Sequence, residues 1–368
     1  MTITSRNPAA PRRQRGVTLV ELMISLLLGL LLTAGIIQVF AGNRATYAFN
    51  EGLSRIQENA RFALDHIAYN ARMGGYTGCL SDIPIYDNLD EALGLEIDLQ
   101  NGVQGHNADG TGKDDEFVVG GPGAAAWTPN LPGLLNGLVT PGSDVLIVHG
   151  VGGNGQSLKS PFTDGSQVFV NAGHDFLEGD VLVATDCQKA SIFQVTGIDN
   201  GGLNLVHSSN NTYTPGNQTP PIWGPEQDYG LGAEVARLQT YAFYVGPDPD
   251  DGNRPALFQH RLARTDSTTS GFVAEPLVGG IDTMQIRYGL DTDNTAAIDS
   301  WVTADEVADW TRVLSVEVTL LARAPDEYGT EFDTATYAVG GTTEFTPVSD
   351  RRLRQVFSTT VGVRNRLP

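Results

Sequence analysis

The chain has 368 residues, 40% of them hydrophobic, and a formal net charge of −20 at pH 7. That is enough apolar side chain for a sizeable core in one large domain or two ordinary ones, which excludes a disordered tail. The acidic surplus repels phosphate backbones, so binding of nucleic acid through the overall field is excluded too. The two cysteines, Cys79 and Cys187, are too few and too far apart for a zinc site. They predict one disulfide, which in an oxidising compartment stabilises a loop of that length by up to about 4–5 kcal/mol.

The first sixteen residues carry only basic charge: Arg6, Arg12, Arg13 and Arg15. Residues 17–41 follow as an almost unbroken apolar run, which as a helix extends about 37 Å, long enough to cross a bilayer core. The basic stretch predicts a cytoplasmic N-terminus, with everything after the run on the far side of the membrane. No small-x-small cleavage pattern follows the run, and a carboxylate, Glu21, sits in its first turns. Both features set it apart from an ordinary signal peptide. Toward the bilayer centre such a charge costs about 2–3 kcal/mol or more, so it requires a reason.

Residues Arg15-Gly16-Val17-Thr18-Leu19-Val20-Glu21-Leu22 resemble the leader of type IV prepilins and pseudopilins. The resemblance implies that a prepilin peptidase cuts between Gly16 and Val17 on the cytoplasmic side and that Val17 is then N-methylated. It also makes Glu21 the glutamate used in assembly. The departure is Val17, where the family most often has phenylalanine, and it bears on methylation more than on recognition. Cutting there leaves an amine four residues from Glu21, and i,i+4 neighbours share a helix face. A buried carboxylate and amine each cost several kcal/mol alone and much less as a pair, so an amine from an adjacent subunit makes Glu21 a register device.

After Gly42 the apolar run becomes an amphipathic stripe of Leu53, Ile56, Ala60, Leu64, Ile67 and Ala71, with Glu51/Arg55 and Arg61/Asp65 as i,i+4 pairs. The helix is predicted to reach about Met73 and stop at Gly74-Gly75, a break at Gly42-Asn43 being the alternative. From residue 76 short apolar runs alternate with Gly, Pro, Asn and Asp clusters, which predicts a strand-rich domain with long loops. Strands are expected near 116–119, 144–148, 181–184, 238–245, 284–288, 314–321 and 355–363. Thr303-x-x-Glu306 reads as the capping box of one short helix. The fold class is therefore α+β: a leader over 1–16, a transmembrane and amphipathic helix over 17–73, and an antiparallel β-rich domain over 74–368.

The segments Gly74-Gly75-Tyr76-Thr77-Gly78-Cys79, Asp186-Cys187, residues 246–251, residues 287–291 and Arg364-Asn365-Arg366 narrow the resemblance to minor pilins of the PilW type. That resemblance implies a low-copy subunit which, with other minor pilins, the major pilin and a tip adhesin, primes pilus assembly in the inner membrane. Its globular domain would lie in the periplasm, and later on the pilus at the cell surface near the tip, in a machine used for adhesion or twitching motility. A minor pseudopilin of type II secretion has the same leader and stays open, as does an adhesive module binding through residues 127–137 or 210–223.

Catalytic signatures do not emerge. The six histidines stand singly, Gly121-Pro-Gly123 is followed closely by Pro129, and there is no nucleophile motif or P-loop. The chain is read as a non-enzyme without a cofactor. Acidic clusters at 109–116, 248–251 and 291–299 offer the oxygen ligands calcium takes, without an EF-hand spacing. Arg351, Arg352, Arg354, Arg364 and Arg366 gather near the C-terminus. They pair with the protein's own acidic loops or, for Arg364 and Arg366, form a docking edge for an acidic neighbouring subunit.

Overall fold

The computed structural model describes residues 16–78, 83–91, 93–112, 115–119, 125–162, 167–209, 212–218, 227–340 and 343–366. One helix, α1, runs from Leu19 to Arg72 without the break allowed for at Gly42-Asn43. Over residues 19–40 its large apolar side chains are exposed, and the helix is long and apolar enough to cross a membrane. Hydroxyls inside this stretch bond to the helix's own carbonyls, Ser25 to Glu21 O and Thr33 to Gly29 O, each at 2.7 Å. That leaves no hydroxyl proton unpaired where water is absent.

Residues 52–368 form one compact unit, to which α1 contributes its last third. Here the stripe is buried: Ile56, Ala60, Ala63, Leu64, Ile67 and Ala71 face inward at the i, i+3, i+4 spacing the sequence predicts. Burying Ile56, Leu64 and Ile67 stabilises the unit by roughly 1.5–3 kcal/mol per side chain. The helix ends where predicted. Gly75 takes a φ of +71° and donates its N–H to His149 O at 2.8 Å, while His149 N–H bonds Gly102 O at 2.8 Å. A Cβ on Gly102, itself at φ +71°, would lie 2.4 Å from Gly75 N, so only glycine lets this strand start meet the helix end.

The larger sheet places its strands in the order Ile85–Asp87, Ala190–Gln194, Val181–Thr185, Glu234–Asp248, Val145–Ser157, Val103–Ala108, Trp127–Thr128. Arg254–Arg264 and Ser270–Gly279 continue it as a hairpin off Glu234–Asp248. All its pairings are antiparallel except that of Ile85–Asp87 with Ala190–Gln194. A second antiparallel sheet runs Ser300–Val302, Ile281–Leu290, Val313–Glu327, Arg352–Gly362. The α1 stripe packs against both, meeting Leu146, Val148, Phe243 and Val245 of the first and Met284, Ile286, Val316 and Val318 of the second in one core. Two three-stranded sheets, Gln167–Phe169 with Asn204–Val206 and Gly197–Asp199, and Tyr337–Val339 with Thr343–Thr346 and Glu116–Val118, lie outside them.

All seven predicted strands are present, most of them longer than expected. The hairpin 254–279 was not foreseen. Pro255 and Pro276 interrupt its apolar pattern, and the ladder between its strands slips between Leu257 and Phe258, so neither strand shows clean alternation. The expected short helix is reduced to one 3-10 turn, Ala304–Glu306. Thr303 makes no cap hydrogen bond there, its hydroxyl turning to Asp305 Oδ1 at 2.6 Å.

Candidate processing and assembly site

A capping box forms at the start of α1 instead. Thr18 is the N-cap: its carbonyl accepts Leu22 N–H at 3.1 Å and its hydroxyl oxygen accepts Glu21 N–H at 3.2 Å. Glu21 Oε2 reaches back to accept both the backbone N–H and the hydroxyl of Thr18, each at 3.2 Å. Two otherwise orphaned donors are thereby satisfied reciprocally, and the carboxylate stands in the first turn, where the helix dipole favours negative charge. Thr18 was missed as a functional residue although its signal, Thr-x-x-Glu before an apolar run, is explicit in the sequence. Gly16 and Val17 precede the helix outside any regular secondary structure, and a Cβ on Gly16 would meet nothing within 4 Å. The basic residues before them lie outside the described residues.

Two stretches of the chain match known families. Residues 11–37, which contain Gly16, Val17, Thr18 and Glu21, match the prokaryotic N-terminal methylation motif. Residues 242–365, from the strand Glu234–Asp248 through the second sheet, match the type IV pilus-assembly protein W family. Over these two stretches the chain is similar to type IV pilins, and to the protein W family among them. No curated relative matches it. A type IV-like pilin from Thermus thermophilus aligns over 52% of this chain and 87% of its own at 15% identity, with a TM-score of 0.22, a likeness that carries no weight.

Inside the PilW-matched stretch the C-terminal arginines divide. Arg354, its side chain 2% exposed, is bound at 2.7 Å to Asp282, at 3.1 Å to Asp333 and at 2.7 Å to Asp350. Burial pushes the Asp282 carboxyl up, and Arg323 and Arg354 pull it back down. Asp350 lies below the ordinary carboxylate range: its burial is outweighed by hydrogen bonds from the Arg354 side chain and the Arg352 backbone. Arg352 donates to the carbonyls of Ala324, at 3.0 Å, and Pro325. Pairing with the protein's own acids thus accounts for Arg354. Arg364 is exposed in a closing 3-10 turn; in the same turn Arg366 donates to Gln100 O and Asn365 to Gly75 O, pinning the C-terminus to the end of α1.

Of the acidic clusters, Asp291, Asp293 and Asp299 bring carboxylate oxygens within 4.8 Å of one another. Those oxygens accept the loop's own donors: Thr295 and Ala296 N–H on Asp291, the Thr295 hydroxyl on Asp293, and Thr292 N–H on Asp299. Trp127, proposed at a ligand-binding loop, is instead buried and donates its indole N–H to Ser143 O at 2.9 Å. Half of 210–223 lies outside the described residues. So does Cys79; Cys187 sits at φ +68° just after Val181–Thr185, and no described cysteine is a free thiol.

Proposed function

We propose that this pilin is cut between Gly16 and Val17 by a prepilin peptidase and N-methylated at Val17. It is then held in the inner membrane by α1 with residues 52–368 in the periplasm. From there it joins the other minor pilins, the major pilin and a tip adhesin to prime the filament at or near its tip, acting by packing and not by catalysis. The observation that carries the reading is Gly16-Val17-Thr18-x-x-Glu21, matched by the methylation motif, at the start of a helix whose residues 19–40 expose an almost unbroken apolar surface. That surface must be covered by lipid before assembly and by other helices afterwards. Glu21, already turned back toward the chain start, is in place to meet a newly made amine, its own or a neighbour's. The protein W match over 242–365 favours the pilus over type II secretion. Oxidation of Cys79 with Cys187 in the periplasm completes the proposal.

The test is the intact mass and N-terminal sequence of the protein recovered from membranes with and without the host's prepilin peptidase. A methylated start at Val17 that depends on the peptidase is expected. An uncut start, or a cut beyond Ala41, overturns the assignment.

A further inference from the structure

A cavity of about 450 Å³ opens between the buried third of α1 and the corner where the two main sheets meet. It is lined by four arginines, Arg55, Arg254, Arg323 and Arg352, and by two carboxylates, Glu58 and Asp251. The lining itself carries more cation than anion, on a chain whose net charge is −20. The two inner arginines are held in place. Arg323, its side chain 17% exposed, contacts Asp282 at 3.2 Å, and Arg352, 19% exposed, is fixed by two backbone carbonyls and lies 3.6 Å from Asp350. The acids they reach are shared with Arg354, which takes the shorter contacts to both. Each guanidinium carries five donors in a rigid fork suited to a carboxylate. Burial and the neighbouring Arg352 and Arg354 charges press Arg323 below its ordinary pKa against the pull of Asp282, the sign of a cluster that one more anion would relieve. At the opening, Arg254 meets Asp251 at 3.4 Å with both side chains about half exposed, a pair that binds weakly.

We propose that this cavity is a docking socket for one acidic side chain of a neighbouring pilin subunit. Arg55 and Arg254 capture the carboxylate at the opening, and Arg323 and Arg352 receive it inside. The inference rests on the pilin reading above, because that reading puts α1, one wall of the socket, against other subunits. A protein carboxylate suits the site better than a phosphate-bearing polyanion. Glu58 and Asp251 at the lining oppose a multiply charged ligand, and the acidic field of the whole molecule repels one at a distance, whereas a single carboxylate is delivered by the packing of its own subunit.

The test uses the full chain in its host, with Arg254→Glu and the double change Arg55→Glu/Arg254→Glu; the inner arginines, which support the fold, are left alone. Expected are unchanged processing and membrane level and a drop in surface pili of about tenfold or more, as for like charges forced together at an interface. Suppressors should replace an Asp or Glu of a co-assembled subunit by a neutral or basic residue. Normal piliation by the double variant, or suppressors confined to this chain, overturns the socket. If instead the wild-type chain is not cut at Val17, or its deletion leaves piliation normal, the pilin reading itself has failed. In a second arm the purified full chain in detergent is heated with glutarate or inorganic phosphate. A rise in unfolding temperature with glutarate, lost in Arg254→Gln, supports the carboxylate; a rise with phosphate alone replaces it with a phosphate-bearing ligand.

Discussion

Thr18 and Glu21 bond each other across the first turn of α1, so one carboxylate serves as a local cap and, in the function proposed above, also as the charge used in assembly. Substitution separates the two roles. Thr18→Ala keeps the charge and removes the cap, which is worth about 1 kcal/mol; faster hydrogen exchange at the amides of residues 19–22 in micelles is the expected result. Glu21→Gln keeps an acceptor for the cap but loses the charge, so exchange should stay slow while pilus incorporation fails. Buried titratable groups set a pH dependence of their own. Desolvation lowers His149 and His207 to about 4, against 6.5 when exposed. The unfolded chain therefore takes up protons between pH 6.5 and 4 that the folded chain refuses, and stability falls as pH falls through that window, by about 1.4 kcal/mol per pH unit per imidazole. Asp144 acts oppositely. Desolvation raises it from 3.8 to about 7 although Ala108 and Ile286 donate to it, so the folded state holds a proton the unfolded state releases, and stability falls as pH rises through that range. Two imidazoles outweigh one carboxyl: urea midpoints should be lower at pH 4.5 than at 6.5, and His149→Gln should shrink the difference.

At the scale of elements, Asp144 is a strut. It accepts Ala108 N–H from the first sheet at 2.9 Å and Ile286 N–H from the second at 2.8 Å. The second sheet is further tied by Arg354, which joins Asp282 at the start of one strand to Asp333 and Asp350 before another. Removing one partner of a buried ion pair leaves the others uncompensated and costs about 3–5 kcal/mol. Arg354→Ala should therefore lower the free energy of unfolding by that amount in denaturant titrations of the full chain. The double change Arg354→Met/Asp282→Leu should recover part of it. Of these groups, sequence reasoning flagged only Arg354, and only as one of five arginines. Asp282 lies 72 residues away, and no local pattern links the two. The hairpin 254–279 was hidden in the same way, its strands being decided by pairing with Glu234–Asp248 and not by their own alternation.

For the whole molecule, the last third of α1 belongs to the globular core while residues 19–40 are exposed apolar surface. A chain beginning at Gly52 keeps Ile56, Leu64, Ile67 and their partners and should be soluble and unfold in one cooperative transition. A chain beginning at Gly74 loses every helical side chain of that core and should be recovered as aggregate, as size-exclusion chromatography and circular dichroism would show. The sequence by itself determined the membrane-length helix, its stop at Gly74-Gly75, the α+β class and seven of the strands. Those features rest on composition and on periods of two or 3.6 residues, which are local quantities. Only the tertiary structure decided that Trp127 is core, that Arg354 is internal and Arg364 exposed, and that Arg55, Arg254, Arg323 and Arg352 line one cavity. Those facts depend on which distant segments meet, and a chain of 368 residues specifies such meetings through the summed burial of many side chains and not through any motif that can be read in line.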